Sequence, residues 1–569
     1  MWSYVQYRRI GQNVEKEFKK KSEKEGRTQQ GVSRTEQSDL EHGNIWTETL
    51  PKQTGLPTGF EPRRKQVKKG KGVERKQGTG KELENVIIVK VSGESDPIDP
   101  KNWSVGERAK NISILSILIF VQAWAGAAES MANAEASREF HVSQTAENLA
   151  TAMYLFGVGS GALFVGPLSE TVGRNPTYLS STFCYLFFVL GSALTPTFRG
   201  QIICRYFVGI FSSATLAING ATVRDQFRPV KRAFVFPIIA WANLVRMDFP
   251  SSLLEDTKFS TARELAPIVG GWIVSNPKLG WRWTEWITLI ISGFSFLVAF
   301  MFLPETYLPI LLHWKAEHLR RITKDNRYIS EHSESTSFFK RTKDILPMPA
   351  IFLRTEPVVS VFGGYLVFLY ILLFTFLSGF DYIFRYTYHL SVGIEGSCFA
   401  AIAIGSTTFT LFAPGLYSWA RYKTEWHRGA PIKPEFRLWP AIITAPLLPI
   451  SLFWLGWTNY SHISIWSGLA ACYVIGIVLI AIYVSIYEYI IDSYREHAAV
   501  ALASITMARY LITGGMVIAV RPMYVGIGVQ WTMTILGCVA TILTPAPLIF
   551  WKFGHKLREK SPYAKSDDH

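Results

Sequence analysis

The chain has 569 residues, of which 48% are hydrophobic and 18% charged, and its formal net charge is +15. Both tails and several loops are densely charged, so the segments between them are more apolar than the average, which argues against a soluble globular chain. The positive charge alone would suit nucleic acid, but Lys and Arg fall in the tails and in every second loop between apolar segments, the pattern of a membrane protein with basic loops on one side.

Residues 1–109 are polar and basic, with a dense cluster at Arg63, Arg64, Lys65, Lys68, Lys69 and Lys71. This composition predicts a disordered cytosolic tail, with contact to anionic lipid as the sharper alternative. The start lacks the apolar core of a signal peptide, so insertion is expected to rest on the first span. A membrane-crossing helix needs about 20 residues. Such runs occur at Asn111–Met131, Leu149–Leu168, Tyr178–Thr195, Ile202–Val223 and Trp286–Leu303. A charged stretch over 305–355 follows. Six more runs then appear at Val359–Phe380, Cys398–Trp419, Pro440–Trp457, Ile465–Tyr489, Ala498–Val520 and Trp531–Trp551.

With a fifth span between residues 233 and 274, the pattern is two groups of six around a charged centre, which suggests an internal repeat. The predicted divisions are a tail (1–109), a first bundle (110–304), a central cytosolic loop (305–355), a second bundle (356–552) and a closing cytosolic tail (553–569). The basic loops share one side only if the spans are even in number and both tails are cytosolic. Asn459-Tyr-Ser461 is then an outward-facing N-glycosylation candidate. Cys184, Cys204, Cys398, Cys472 and Cys538 all sit in apolar segments without near neighbours, so neither a disulfide framework nor a zinc site is expected. There is no Walker lysine motif, HExxH, CxxC or nucleophile elbow. The expectation is no enzyme, no metal and no bound cofactor.

The strongest local signal joins the second and third spans: Gly166, Leu168, Glu170, Gly173 and Arg174 in Gly-Pro-Leu-Ser-Glu-Thr-Val-Gly-Arg. Glycines permit the tight turn, and the charges suit ion pairs or helix ends. The pattern resembles motif A of the major facilitator superfamily, and the chain looks like the fungal twelve-span drug:proton antiporters within it. Asp96-Pro-Ile-Asp-Pro-Lys-Asn-Trp103, Leu279-Gly-Trp-Arg-Trp-Thr-Glu285-Trp, Leu303-Pro-Glu305-Thr-Tyr307 and Tyr489-Ile-Ile-Asp492-Ser-Tyr494 resemble that family's span borders. The resemblance runs from about residue 96 to 564. It implies an all-α membrane protein with the major facilitator fold, two six-helix bundles around a central cavity.

The resemblance also implies function: export of small, mostly apolar or cationic compounds in exchange for protons, with drugs, toxins or secondary metabolites as the class. The expected partners are the substrate, protons and the bilayer, not nucleic acid, and the chain is expected to act as a monomer. The proton gradient stands in place of a cofactor. The plasma membrane is the expected location, with the vacuolar membrane as the alternative. In motif A, Glu170 and Arg174 would form a conformational latch. Arg205 stands where the family's motif B places an arginine linked to proton coupling.

Ionisable residues inside spans are costly and are read as functional by default. Arg205, Arg509, Glu488 and Asp492 are therefore candidates for proton coupling, with Arg509 alternatively pairing with Glu170 or Asp492. Glu129, Glu285 and Asp381, near the outer ends of spans one, six and seven, are candidate substrate contacts, and water-exposed interface positions are the plainer reading.

The fifth span is broken. Its apolar run Ala233–Leu244 stops at Val245-Arg-Met-Asp248, and apolar sequence resumes at Ala266. Pro267, Gly270 and Gly271 match the end of the family's antiporter motif C, whose small residues allow close packing. Joined, the halves make about one span, whereas the intervening charges are costly in hydrocarbon. The stretch Val245–Leu265 reads as translated intron, with a genuine re-entrant insertion as the rival. Other readings of the whole chain are a proton-coupled nutrient uptake carrier, a non-transporting membrane sensor, and an inactive product of a mis-spliced gene model.

Overall fold

The computed structural model describes residues 1–20, 60–64, 85–91, 93, 96–128, 132–227, 265–276, 279–331, 343, 346–425, 434–494 and 497–564. These residues divide into two compact units. One joins Met1–Val105 to Leu303–Thr336, and the other contains Gly106–Phe302 and Ser337–His569.

The larger unit is built from long helices, as lipid demands of a chain whose backbone groups must be satisfied internally. Span one is Val105–Ala128, span two Gln144–Val172, span three Arg174–Leu194, span four Phe198–Gln226 and span six Trp283–Phe302. Of span five, the second half is described, as the helix Leu265–Val274. Ala233–Leu244 and the polar stretch after it lie outside the described residues. Span seven is Pro357–Phe380. Span eight runs through Val392–Cys398 and Ala400–Glu425, and span nine through Trp439–Thr444 and Leu447–Trp457. Span ten is Ile465–Tyr494.

Among the described residues, ten stretches are long and apolar enough to cross a membrane, the last being Val500–Glu559 with 60 residues. At 1.5 Å per residue that is far more than one crossing of about 30 Å. It is broken at Gly528, whose φ of 79° no ordinary helical residue adopts, and the chain before and after this break forms spans eleven and twelve. Thr544 of span twelve lies beside Ala445 of span nine, and Gln530 beside Asn459.

Small residues set how closely the helices cross. Any Cβ at Gly157 would strike the Tyr206 carbonyl, and one at Gly209 would strike the Tyr154 carbonyl, so spans two and four meet backbone to backbone. Gly405 and Gly476 make the same reciprocal crossing between spans eight and ten, against the carbonyls of Tyr473 and Ile402. The equivalent pairs in the two halves are the clearest mark of the internal repeat. Across the halves, span two packs on span eleven, with Gly159 against Leu511 and Gly514 against the Phe156 ring and the Ala152 carbonyl.

In the smaller unit, part of the stretch read as a disordered tail over 1–109 is ordered. Residues 2–20 form a helix. Its Ile10 and Val14 are buried with Val89 and with Leu311, Ala316 and Leu319 of the helix Leu308–Thr323. Gln6 donates from Nε2 to the Glu305 carbonyl at 3.1 Å and accepts the Glu305 N–H at 2.9 Å. The Glu305 carboxylate caps the start of that helix, accepting the N–H groups of Thr306 and Tyr307 at 2.9 and 2.8 Å. The segment beginning at Asp96 is a compact turn: Asp96 accepts from the Ile98 N–H, Trp103 donates to the Pro97 carbonyl, and Asp96 pairs with buried Lys315 at 3.7 Å. Strand β2 (Asn85–Val89) pairs antiparallel with β1 (Phe60–Arg64) and parallel with β3 (Tyr328–Ser330). The apolar stripe of the first helix is short, and its partner lies about 300 residues away in sequence, so composition alone read the segment as tail.

Candidate functional site

Motif A closes the turn between spans two and three. Gly173 takes φ of 110°, a conformation that favours glycine. The next residue, Arg174, is buried at 2% exposure. Its Nε donates to Asp225 at the end of span four at 3.1 Å, and its Nη1 donates to Ser169 at 2.5 Å. Arg174 therefore ties span four to the turn, with Asp225 a partner that sequence reading missed. Glu170 and Gly166 line one small cavity with Ala498 and Leu502, at the start of span eleven.

Two residues read separately in the sequence come together in the first bundle. Arg205 of span four and Glu285 of span six form a buried ion pair, each at 4% exposure or less. Arg205 Nη1 also donates to the Ala125 carbonyl of span one at 3.0 Å. In this structure Glu285, read in the sequence as a candidate substrate contact, is paired with a cation of the protein. The loop before span six is anchored by Arg282, which bonds Glu139 and the carbonyls of Ala193 and Thr195. Partial burial pushes the Glu139 carboxyl upward, but the hydrogen bonds from Arg282 and Trp281 outweigh it and hold Glu139 below the usual range.

In the second bundle, Glu488 and Asp492 of span ten share one guanidinium. Arg437 Nη1 lies 2.9 Å from Glu488, and its Nε lies 2.9 Å from Asp492. Sequence reading used Arg437 only as a loop charge. Asp492 therefore does not pair with Arg509, nor is Arg509 at a helix end. Arg509 sits well inside span eleven, 2% exposed, with its Cζ 4.1 Å from the Tyr370 ring centre. Tyr510, Tyr483 and Tyr487 follow at 5.1, 5.7 and 5.8 Å. The tyrosines were not singled out in the sequence, although Tyr483 and Tyr487 have the i, i+4 spacing of one helix face.

Asp381 begins a π-helical turn, Asp381–Arg385, at the end of span seven, an irregularity common at functional sites. It accepts the Tyr382 N–H at 2.9 Å, and the Tyr382 ring stacks on Tyr524 at 5.5 Å. Arg385 and Arg521 lie within electrostatic range of its carboxylate. Glu395, buried at the start of span eight and in range of Asp381, is a further acid that sequence reading passed over within an apolar run. Glu129 lies outside the described residues. No group of side chains suited to a metal ion occurs among the described residues.

The motif C remnant packs span five on span eight. A Cβ at Gly271 would lie 2.8 Å from the Val392 carbonyl, and Gly393 lies under the Trp272 ring. Pro267 and Gly270 are buried in the same helix. Asn459 is buried, with Nδ2 donating to Thr387 at 3.4 Å. In the folded chain the acceptor nitrogen is engaged in this hydrogen bond rather than presented to solvent. Treatment of the expressed protein with peptide N-glycosidase is expected to leave its gel mobility unchanged; a faster band lost in Asn459→Gln would refute this.

Long apolar helices crossing at paired glycines, with buried charges inside the spans, define a multi-pass membrane protein. The family model described as Major Facilitator Superfamily matches residues 114–247 and 259–517, and the chain belongs to that superfamily. The match breaks between residues 247 and 259, within the polar stretch that divides span five. The chain is 38% identical over 482 residues to the MFS-type transporter kojT of Aspergillus flavus, covering 84% of this chain and 82% of that protein. It is 30% identical over 499 residues to the major facilitator superfamily multidrug transporter FLU1 of Candida albicans, covering 86% and 78%. The fold resembles that of the xylose transporter XylE from E. coli in a partially occluded inward-open conformation, with a TM-score of 0.52 at 14% identity, covering 78% of this chain and 99% of that one.

Proposed function

We propose that this protein exports small organic compounds across the plasma membrane in exchange for protons, by alternating access between its two bundles. The observation that carries this reading is the buried Arg205–Glu285 pair. Losing one charge of a buried pair leaves the other uncompensated, which costs about 3–5 kcal/mol. Breaking and remaking this pair during the cycle would couple the charge state of the site to the packing of spans one, four and six. Motif A supplies the second element. Glu170 of span two, which shares a cavity with the start of span eleven and is close to the Arg174–Asp225 pair, latches the bundles in one state. The named multidrug transporter among the relatives supports a drug- or metabolite-like cargo.

The test is efflux of two fluorescent dyes, one cationic and one anionic, from cells lacking their own pumps. Efflux of at least one dye is expected, and a proton uncoupler is expected to abolish it. Efflux that survives the uncoupler would overturn proton coupling; uptake would reverse the direction.

The stretch Val245–Leu265, outside the described residues except for its last, is proposed to be translated intron. The break in the family match supports this. A form lacking it is expected to transport at least tenfold faster than the chain as written. Equal rates would establish the stretch as a working part.

A further inference from the structure

The two bundles treat their buried arginines differently. Arg205 is neutralised by Glu285. Arg509 is as deeply buried, yet its Nε and Nη1 have no hydrogen-bond partner among the described residues. The groups acting on it electrostatically are Tyr370, Tyr487, Tyr483 and Tyr510, with no carboxylate among the strongest. The nearest acids in sequence, Glu488 and Asp492, are held by Arg437.

Depth sharpens the contrast. Arg509 follows the start of span eleven at Ala498 by about 16 Å at 1.5 Å per residue, close to the middle of a hydrocarbon layer about 30 Å thick. Spans seven, ten and eleven bring their tyrosines to this level, with Tyr370 and Tyr510 joined through their hydroxyls at 3.3 Å and Tyr483 stacked on Tyr487 at 4.4 Å. Aromatic faces attract a guanidinium but do not satisfy its N–H donors. A charge so placed marks a substrate path or a ligand's counter-ion.

We propose that Arg509 is the counter-ion for an organic anion, and that the cargo is a planar aromatic acid. Its carboxylate takes the free N–H donors, and its ring packs among Tyr370, Tyr483 and Tyr487. Arginine suits this role because its planar fork matches a carboxylate and its charge persists at every physiological pH. The proposal rests on the transport reading and narrows it: the cargo is anionic rather than apolar or cationic.

The test is equilibrium binding by tryptophan fluorescence, on the purified full chain in detergent. The probes are 3-hydroxy-2-naphthoate and its uncharged amide, 3-hydroxy-2-naphthamide. The unaltered protein is expected to bind the acid at least tenfold more tightly than the amide. Arg509→Gln is expected to erase that preference, and Arg509→Lys to keep part of it. Failure of the unaltered protein to bind the acid, or equal binding of acid and amide, would overturn the proposal without any variant. An acid preference that survives in Arg509→Gln would overturn it equally. Binding is read without a proton gradient or a direction of transport, so this result stands or falls separately from the uncoupler experiment.

Discussion

Glu285→Ala is expected to destabilise the protein by about 3–5 kcal/mol, the cost of leaving a buried charge without its partner. Arg205 would remain ionised, because guanidinium does not give up its proton in proteins. The Ala125 carbonyl, which accepts one Arg205 N–H, is a dipole and does not replace a carboxylate. The double variant Arg205→Met, Glu285→Leu removes both charges and fills similar volume. Such replacements of buried pairs are often neutral or stabilising, so the double variant is expected to melt near the parent temperature while remaining inactive in proton-driven efflux. Thermal unfolding in detergent reads the first effect and dye efflux the second. A double variant as unstable as Glu285→Ala would show that the pair does not act as a unit.

The second large effect concerns the glycine crossings. Gly157→Val places a branched side chain where the Tyr206 carbonyl and the Gly209 backbone already stand. Neither is a flexible side chain that swings aside, so spans two and four must separate. Overpacking of a well-filled interior costs about 1–3 kcal/mol and sometimes more. Gly405→Val, against the Tyr473 carbonyl, is expected to do the same in the second half. Gly364→Ala in span seven is the control: nothing lies within 4 Å of its added carbon, and alanine is the better helix former. Its melting temperature should equal or exceed the parent's, while both valine variants fall. Valine variants as stable as the control would mean that the helices slide freely past each other.

Much of the architecture was legible because lipid simplifies the rules. Long apolar runs must be helices, and alternation of basic loops orders them. Gly173 with Arg174 signalled the turn, and the turn is there. Partnerships were harder to read. Arg205 and Glu285 were both visible as charges inside spans, but nothing local says that they meet across 80 positions. Arg437 belongs to a loop whose charges serve topology, so its grip on Glu488 and Asp492 was invisible. Tyrosines near Arg509 look like any aromatic residues of a membrane core until three helices are brought together. The N-terminal helix was missed because its apolar stripe is two residues, Ile10 and Val14, whose remaining neighbours lie far along the chain.

That last feature bears on the order of events during synthesis. Gln6 is bonded to Glu305, 299 positions later. Chains grow at about 5–20 residues per second, so the first helix waits roughly 15–60 s for its partner, while every span of the first bundle is made. Its docking is therefore a timing mark: it closes only after span six has left the ribosome. A chain stalled or truncated within the first bundle would keep the Ile10 and Val14 stripe uncovered, a hydrophobic signal that quality-control factors recognise.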